Sequence, residues 1–175
     1  EWVGNIFRAL EPKLKENGVI LWNVSYGVDS NNGDEYGINN SIWYSLLDVI
    51  NTTDFAIGDV ICWEKSNCIP VSCGNKLSRI WEPVFVFCRK SEYRSYYINS
   101  QDTCKKKGIQ FRKPYRSLIK TSTNNDGSCE LNRATYCSEL CEKLFDIYAP
   151  KGGVVYDPFM GTGTTAVACI TKGLN

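Results

Sequence analysis

Val154-Val155-Tyr156-Asp157-Pro158-Phe159-Met160-Gly161-Thr162-Gly163-Thr164-Thr165 decides the fold. Its first four residues read as a short buried strand, residues 158–163 as a tight glycine-containing turn, and Thr164 through Lys172 as a helix that Gly173 closes. That order sets backbone N–H groups and a helix N-terminus at the carboxyl edge of a sheet. Open α/β folds bind ligands at such an edge, and the helix end favours an anionic group. Immediately upstream, Leu140, Leu144, Ile147 and Tyr148 recur at helical spacing, and Pro150 with Gly152-Gly153 ends that helix.

The ligand class follows from the turn. Gly161-Thr162-Gly163-Thr164-Thr165-Ala166 has the form G-x-G-x-x-A, so a dinucleotide-dependent oxidoreductase is one reading. In that fingerprint, however, the glycines follow the strand directly, and an acidic residue comes about twenty positions later. Here Asp157-Pro158-Phe159 intervenes, and ten residues follow Thr165. A phosphate loop is excluded, because no Gly-Lys-Ser/Thr occurs. An acidic strand end before the glycines suits a ligand with both an ammonium and a carboxylate, as at the amino-acid end of S-adenosylmethionine.

Asp157 through Thr165 resembles motif I of the DNA amino-methyltransferases, D-P-F-x-G-S-G-T-T, with Thr162 for the common serine. Asn132-Arg133-Ala134-Thr135-Tyr136-Cys137 and the following 138–149 helix are similar to motif X, H-P-A-x-F-P, with Asn132 and Cys137 replacing its histidine and last proline. Asp59 to Asn67 and Pro70 resemble the strand and loop I-x-W-x-K-x-N-x-x-P, and Glu82-Pro83-Val84-Phe85-Val86-Phe87 with Lys90 resembles a later family strand. Cofactor motifs C-terminal to the catalytic and recognition parts define the β class. The resemblance implies an α/β, Rossmann-like methyltransferase fold with a mostly parallel central sheet and a basic target-recognition insertion. Residues 1–88 would form the catalytic-side half, 89–131 the target-recognition region and 132–175 the cofactor-binding half.

It also implies roles. Asp157 would bond the methionine part of S-adenosylmethionine, and Pro158 and Phe159 would line the pocket. Gly161 and Gly163 would allow close backbone approach, while Thr162, Thr164 and Thr165 would present hydroxyl and N–H groups to the ligand carboxylate. Thr135 and Tyr136 join this cofactor set. Trp63, Lys65 and Asn67 would face the DNA or cofactor side, against a core position for the tryptophan. In the complete enzyme a base flipped from the duplex would offer its exocyclic amine to the activated methyl, which needs positioning and charge placement but neither histidine nor metal. The family's Asp/Asn/Ser-Pro-Pro-aromatic tetrapeptide is absent, since the chain has no Pro-Pro pair, so no catalytic residue is assigned. It is expected before Glu1, and the ribose-gripping acidic strand after Asn175, in a longer polypeptide. A catalytically incomplete DNA-binding subunit is the competing function.

Charge by segment agrees with a nucleic-acid partner. The net charge of +1 conceals local balances of −5 over residues 1–88, +8 over 89–120 and −2 over 121–175. The island's Arg94, Lys105, Lys106, Lys107, Arg112, Lys113 and Arg116 are interleaved with Tyr93, Tyr96, Tyr97, Phe111 and Tyr115. Cations neutralise phosphates and aromatic faces stack on bases, so double-stranded DNA is the expected partner, and a solvated loop-rich face the alternative. Family analogy adds a homodimer. Nine cysteines without a Cys-x-x-Cys pair, and no histidine, point to free thiols in a reducing intracellular compartment rather than a metal site. No window approaches the ~18 apolar residues of a membrane span.

The remaining elements are coarser. Val3, Ile6, Phe7, Leu10 and Leu14 predict a helix stopped by Asn17-Gly18, and Val19–Val24 a strand covered on both faces in a parallel sheet. Residues 27–40 read as a loop, Ser41 as the cap of a helix to Ile50 with Leu46, Leu47 and Ile50 inward, and Asp59–Trp63 and Pro83–Cys88 as further strands.

Overall fold

The structure, a computed structural model, describes residues 1–26, 40–68, 77–99, 115–123 and 136–175 in full and the backbone of 103–106 and 109–112. Pro70, Lys107, Lys113, Thr135 and nearly all of the expected 27–40 loop lie outside the described residues. In chain order, helix α1 (Trp2–Leu10), strand β1 (Ile20–Asn23) and helix α2 (Ser41–Thr52) precede five strands, β2 (Phe55–Lys65), β3 (Trp81–Arg89), β4 (Thr103–Lys106), β5 (Ile109–Arg112) and β6 (Leu118–Thr121), and helices α3 (Ser138–Tyr148) and α4 (Thr164–Lys172) follow them. The chain forms two compact units, residues 1–62 with 82–96, and residues 63–81 with 97–175.

Strands β1, β3, β2 and β6 hydrogen-bond in that order, and β4 pairs with β5 in a separate antiparallel ladder. The four-stranded sheet is mostly antiparallel, which corrects the mostly parallel expectation. β1 runs antiparallel to β3 in the register Ile20↔Phe87 to Asn23↔Val84. The continuous apolar run Val19–Val24, expected to be covered on both faces in a parallel sheet, is neither fully buried nor parallel to its neighbour. Pro83 to Cys88 are all buried because β3 is flanked by β1 and β2, whereas β1 ends the order and its four residues are only half-buried.

In the first unit Phe7 packs edge-on against Phe87 and Phe55, with centroids 4.7 and 5.6 Å apart, over Ile42, Leu46 and Val49 of α2. Leu47, expected inward, is exposed: helical steps of about 100° align Ile42, Leu46 and Val49 instead. Asn40, not Ser41, is the N-cap of α2. Pro12 converts the end of the first predicted helix to a single 3-10 turn, and Asn17 takes the left-handed conformation expected of the stop, with φ of 57°. Two island cations are structural. The Arg89 guanidinium donates to the carbonyls of Glu11, Leu14 and Lys15 and pairs with Glu92, and Lys90 Nζ donates to Ile50 and Thr53 at 3.1 and 2.7 Å. Each offers donors to carbonyls in the turn that ends or follows a helix.

In the second unit α3 packs on α4 around Cys141, Phe145, Ala168 and Cys169. Asn99 satisfies the C-terminal end of α3, its amide donating to Asp146 and Ala149 at 2.9 and 2.8 Å. β6 joins the end of β2 through Ser66 N–H to Thr121 O at 2.9 Å, and the buried Trp63 donates from Nε1 to Thr121 Oγ1 at 2.7 Å. The predicted buried strand at 154–157 is an extended segment with Val154 and Tyr156 62% and 69% exposed. Only one side is covered, by Val155 against the Cys141 cluster. Around Val154 the chain makes the bond pair of parallel strands: Asn175 N–H to Gly153 O and Val155 N–H to Asn175 O, both 2.8 Å. Extended segment, α4 and Asn175 thus form a βαβ-like crossover.

Candidate functional site

The loop between that extended segment and α4 is built around one carboxylate. Asp157 Oδ1 accepts the N–H of Phe159 at 2.8 Å, closing a turn of the kind Asp favours two residues ahead of a backbone donor. Its Oδ2 accepts the hydroxyl of Thr165, in the first turn of α4, at 2.6 Å. One side chain therefore holds both the start and the end of the loop. Gly161 and Gly163 have φ of 53° and 88°, a region L side chains avoid, and Gly163 N–H closes the turn on Met160 O at 2.8 Å. A Cβ at Gly163 would meet nothing within 4 Å, so glycine is required there by its dihedral, and the space beside it is open.

Gly163 is also the N-cap of α4 and has no side chain to cap it, while the first helical bond runs from Val167 N–H to Gly163 O. The N–H groups of Thr164, Thr165 and Ala166 precede the first intrahelical donor, at the positive end of the helix dipole. Pro158, Phe159, Gly161 and Thr162 are exposed, Phe159 by 65%. Thr165 is different: it is 9% exposed, and its hydroxyl points inward. Tyr136 OH lies 3.0 Å from Thr165 Oγ1. Because the only hydroxyl proton of Thr165 goes to Asp157, Tyr136 is the donor, and the three side chains form a directed relay onto the carboxylate. Thr165 was expected to offer its hydroxyl to a ligand; it instead braces Asp157, leaving its N–H for that purpose.

Burial makes the groups beneath the loop harder still to ionise. The thiol of Cys141 is pushed up to about 11, first by desolvation and then by the negative charge of Asp157, and the Tyr136 phenol is raised for the same first reason. Both remain protonated donors through the neutral range. The sequence motifs brought Asp157, Tyr136 and Thr165 together; the relay among them and the thiol below were not foreseen, since no spacing rule connects positions 136, 141 and 165.

The sequence profile of a family described as DNA methylase matches residues 1–175. The chain belongs to that family. Among curated DNA methylase relatives it is 27% identical over 169 residues to the type II methyltransferase M.MwoI of Methanothermobacter wolfeii, covering 94% of this chain and 22% of that protein. It thus spans about a fifth of the relative's length. Among solved structures, the M1.HpyAVI–SAM complex superposes with a TM-score of 0.61 at 23% identity, over 100% of this chain and 71% of that one. The PvuII cytosine-N4-specific DNA methyltransferase gives 0.71 at 14% identity, over 98% and 64%. These likenesses establish the shared Rossmann-like fold.

Around this DNA methylase loop the other expected residues fall in several places. Of the two positions open to Trp63, the structure gives the core, and Lys65 Nζ sits 5.0 Å from its ring centroid, a cation–π contact. Asn67 is exposed, but its side chain is engaged with Thr123. Arg94 and Arg116 are exposed, in the first and second unit respectively. The backbone of β4 and β5 sets Lys105 opposite Gln110 and Arg112 opposite Thr103, so the basic island contains a hairpin that composition did not announce. Lys120 pairs with Glu64 at 2.5 Å. No helix among the described residues is long and apolar enough to cross a membrane.

Proposed function

We propose that the polypeptide transfers a methyl group from S-adenosylmethionine to the exocyclic amine of adenine or cytosine in double-stranded DNA, at a specific sequence, within a restriction-modification system. The observation that carries this reading is the 157–165 loop: a fixed carboxylate, two left-handed glycines and an uncapped helix N-terminus around open space. That set fits an amino-acid head group. The ammonium meets Asp157, whose two internal bonds leave lone pairs on both oxygens, and the carboxylate meets the N–H groups that open α4. Phe159, Pro158 and Thr162 border the same space. S-adenosylmethionine supplies a methyl activated on a cationic sulfur; the residues of this chain bind and orient it. Supporting names are those of the relatives, a type II methyltransferase, a SAM complex and a cytosine-N4 enzyme.

The test is calorimetric titration of the full chain with S-adenosylmethionine, S-adenosylhomocysteine and NAD. Saturable binding of the first two with none of the third is expected; the reverse would return the chain to the oxidoreductase reading. The competing function is a DNA-binding subunit that contributes no amine acceptor. Transfer of a labelled methyl to duplex DNA separates the two.

Residues 89–131 are proposed as the target-recognition region, with Arg94, Lys105, Lys106, Lys107, Arg112, Lys113 and Arg116 on phosphates. Changing Lys105, Lys106 and Lys107 together to alanine is expected to weaken DNA binding mainly at low salt. The slope of log affinity against log salt should fall by roughly 2–3, near 0.9 per lost phosphate contact. An unchanged salt series would assign the island to a solvent-facing role.

A further inference from the structure

Asn67 ends the Lys65-Ser66-Asn67 stretch at the close of β2, and its carboxamide engages every backbone and side-chain polar group of Thr123. Oδ1 accepts the Thr123 N–H at 2.7 Å and its hydroxyl at 2.9 Å, while Nδ2 donates to Thr123 O at 3.2 Å. One side chain thus does the work of a strand edge. Thr123 in turn forms an antiparallel bridge with Tyr136, and Cys137 Sγ reinforces it by donating to Ser122 O at 2.8 Å. Tyr136 is the first donor of the relay through Thr165 to Asp157. All of these residues belong to the second unit.

We propose that Asn67 is a positioning residue for the ligand-binding loop. By fixing Thr123 it sets the backbone position of Tyr136, and through the Tyr136 and Thr165 hydroxyls it holds the Asp157 carboxylate at the angle a ligand ammonium requires. The proposal rests on the adenosyl-ligand reading above. It differs from a plain stabilising role because the bonds on Asn67 lead, one after another, to a group at the site. Positioning through a supporting layer is how a preformed site keeps its geometry.

The test uses the full chain, with S-adenosylhomocysteine as titrant and the amide resonance of Phe159 as a second readout. That amide donates to Asp157, so its shift reports the carboxylate's position with no ligand present. Asn67→Ala should weaken affinity about five- to tenfold, the net worth of roughly one hydrogen bond, and move the Phe159 resonance. Tyr136→Phe should do the same, and the double variant should lose less than the product of the two, because both act on one relay. Thr123→Ser, which keeps every bond, should bind as the parent does. Wild-type affinity in Asn67→Ala with Phe159 unmoved, or losses that multiply, overturns the proposal. Should Asn67→Ala fail to fold, Asn67→Asp keeps the two accepted bonds and loses the donor; a smaller loss still coupled to Tyr136→Phe is expected, and none would overturn it. If the parent chain does not bind the titrant, the function reading fails, and the Phe159 shift alone still decides the positioning claim.

Discussion

Asp157→Ala is expected to weaken binding of S-adenosylmethionine by at least about 100-fold while lowering the melting temperature by only a few degrees. The two effects come from different parts of the same carboxylate. Its internal bonds, to Phe159 N–H and the Thr165 hydroxyl, fasten a half-exposed loop. Charge-assisted bonds of this kind contribute about 1–2 kcal/mol net, which moves the midpoint of a chain this size by roughly 2–8 °C. The ligand loses more. It loses the counter-charge for its ammonium, and it must also order a turn that is no longer closed, so remote disorder adds to the missing contact. Asp157→Asn separates the contributions. The amide retains one acceptor oxygen, so one internal bond survives, but the charge is gone; about tenfold weakening is expected. Calorimetric titration of both variants, beside thermal scans without ligand, checks the pattern. Equal affinity in parent and Asp157→Asn would mean that no cation sits against this carboxylate.

The 157–165 loop was legible in the sequence because its signal is local. Nine contiguous positions fix the acidic residue, the two glycines and the helix start, and each is demanded by a backbone feature within the same stretch: the turn onto Phe159, the positive φ at 161 and 163, and the start of α4 after Gly163. What was not legible depends on contacts between distant stretches. Val19–Val24 and Pro83–Cys88 look alike as apolar runs, yet one ends the sheet order and the other is interior, and the direction of pairing leaves no trace in either. β6 carries Leu118, Ile119, Lys120 and Thr121 with burial that alternates, but four residues inside a basic segment give too short a period to stand out. The Asn67 clamp on Thr123 joins positions 56 apart, and Arg89 and Lys90 were counted with the charged island although their donors serve helix ends. Charge composition cannot distinguish a cation held by carbonyls from one facing solvent.

Phe87→Ala is expected to have the largest effect on stability, about 3–5 kcal/mol, which is a large share of the 5–15 kcal/mol typical of a whole domain. The ring is fully buried on β3, facing Ile20 in the register with β1. It meets Phe7 of α1 at 4.7 Å and 69°, and Trp22 at 6.2 Å, so its removal empties the point where helix, edge strand and central strand converge. Neighbours on two strands cannot collapse into that space without breaking the ladder, which puts the cost toward the upper part of the range. Phe87→Leu keeps most of the volume and should lose only about 1–1.5 kcal/mol. Urea unfolding followed by far-ultraviolet circular dichroism measures both. The same variants bear on how stability is divided between the units. Phe87 packs with Phe7, Ile42, Leu46, Val49, Phe55 and Phe85, none of which lies in the second unit, whereas the Asp157 loop rests on the separate cluster of Cys141, Phe145, Ala168 and Cys169. Affinity for S-adenosylhomocysteine, measured well below the unfolding midpoint, should therefore stay within about twofold of the parent in Phe87→Leu, because sites without shared partners act independently. A parallel loss of affinity and stability would instead mean that the phenylalanine core and the 157–165 loop respond as one cooperative body.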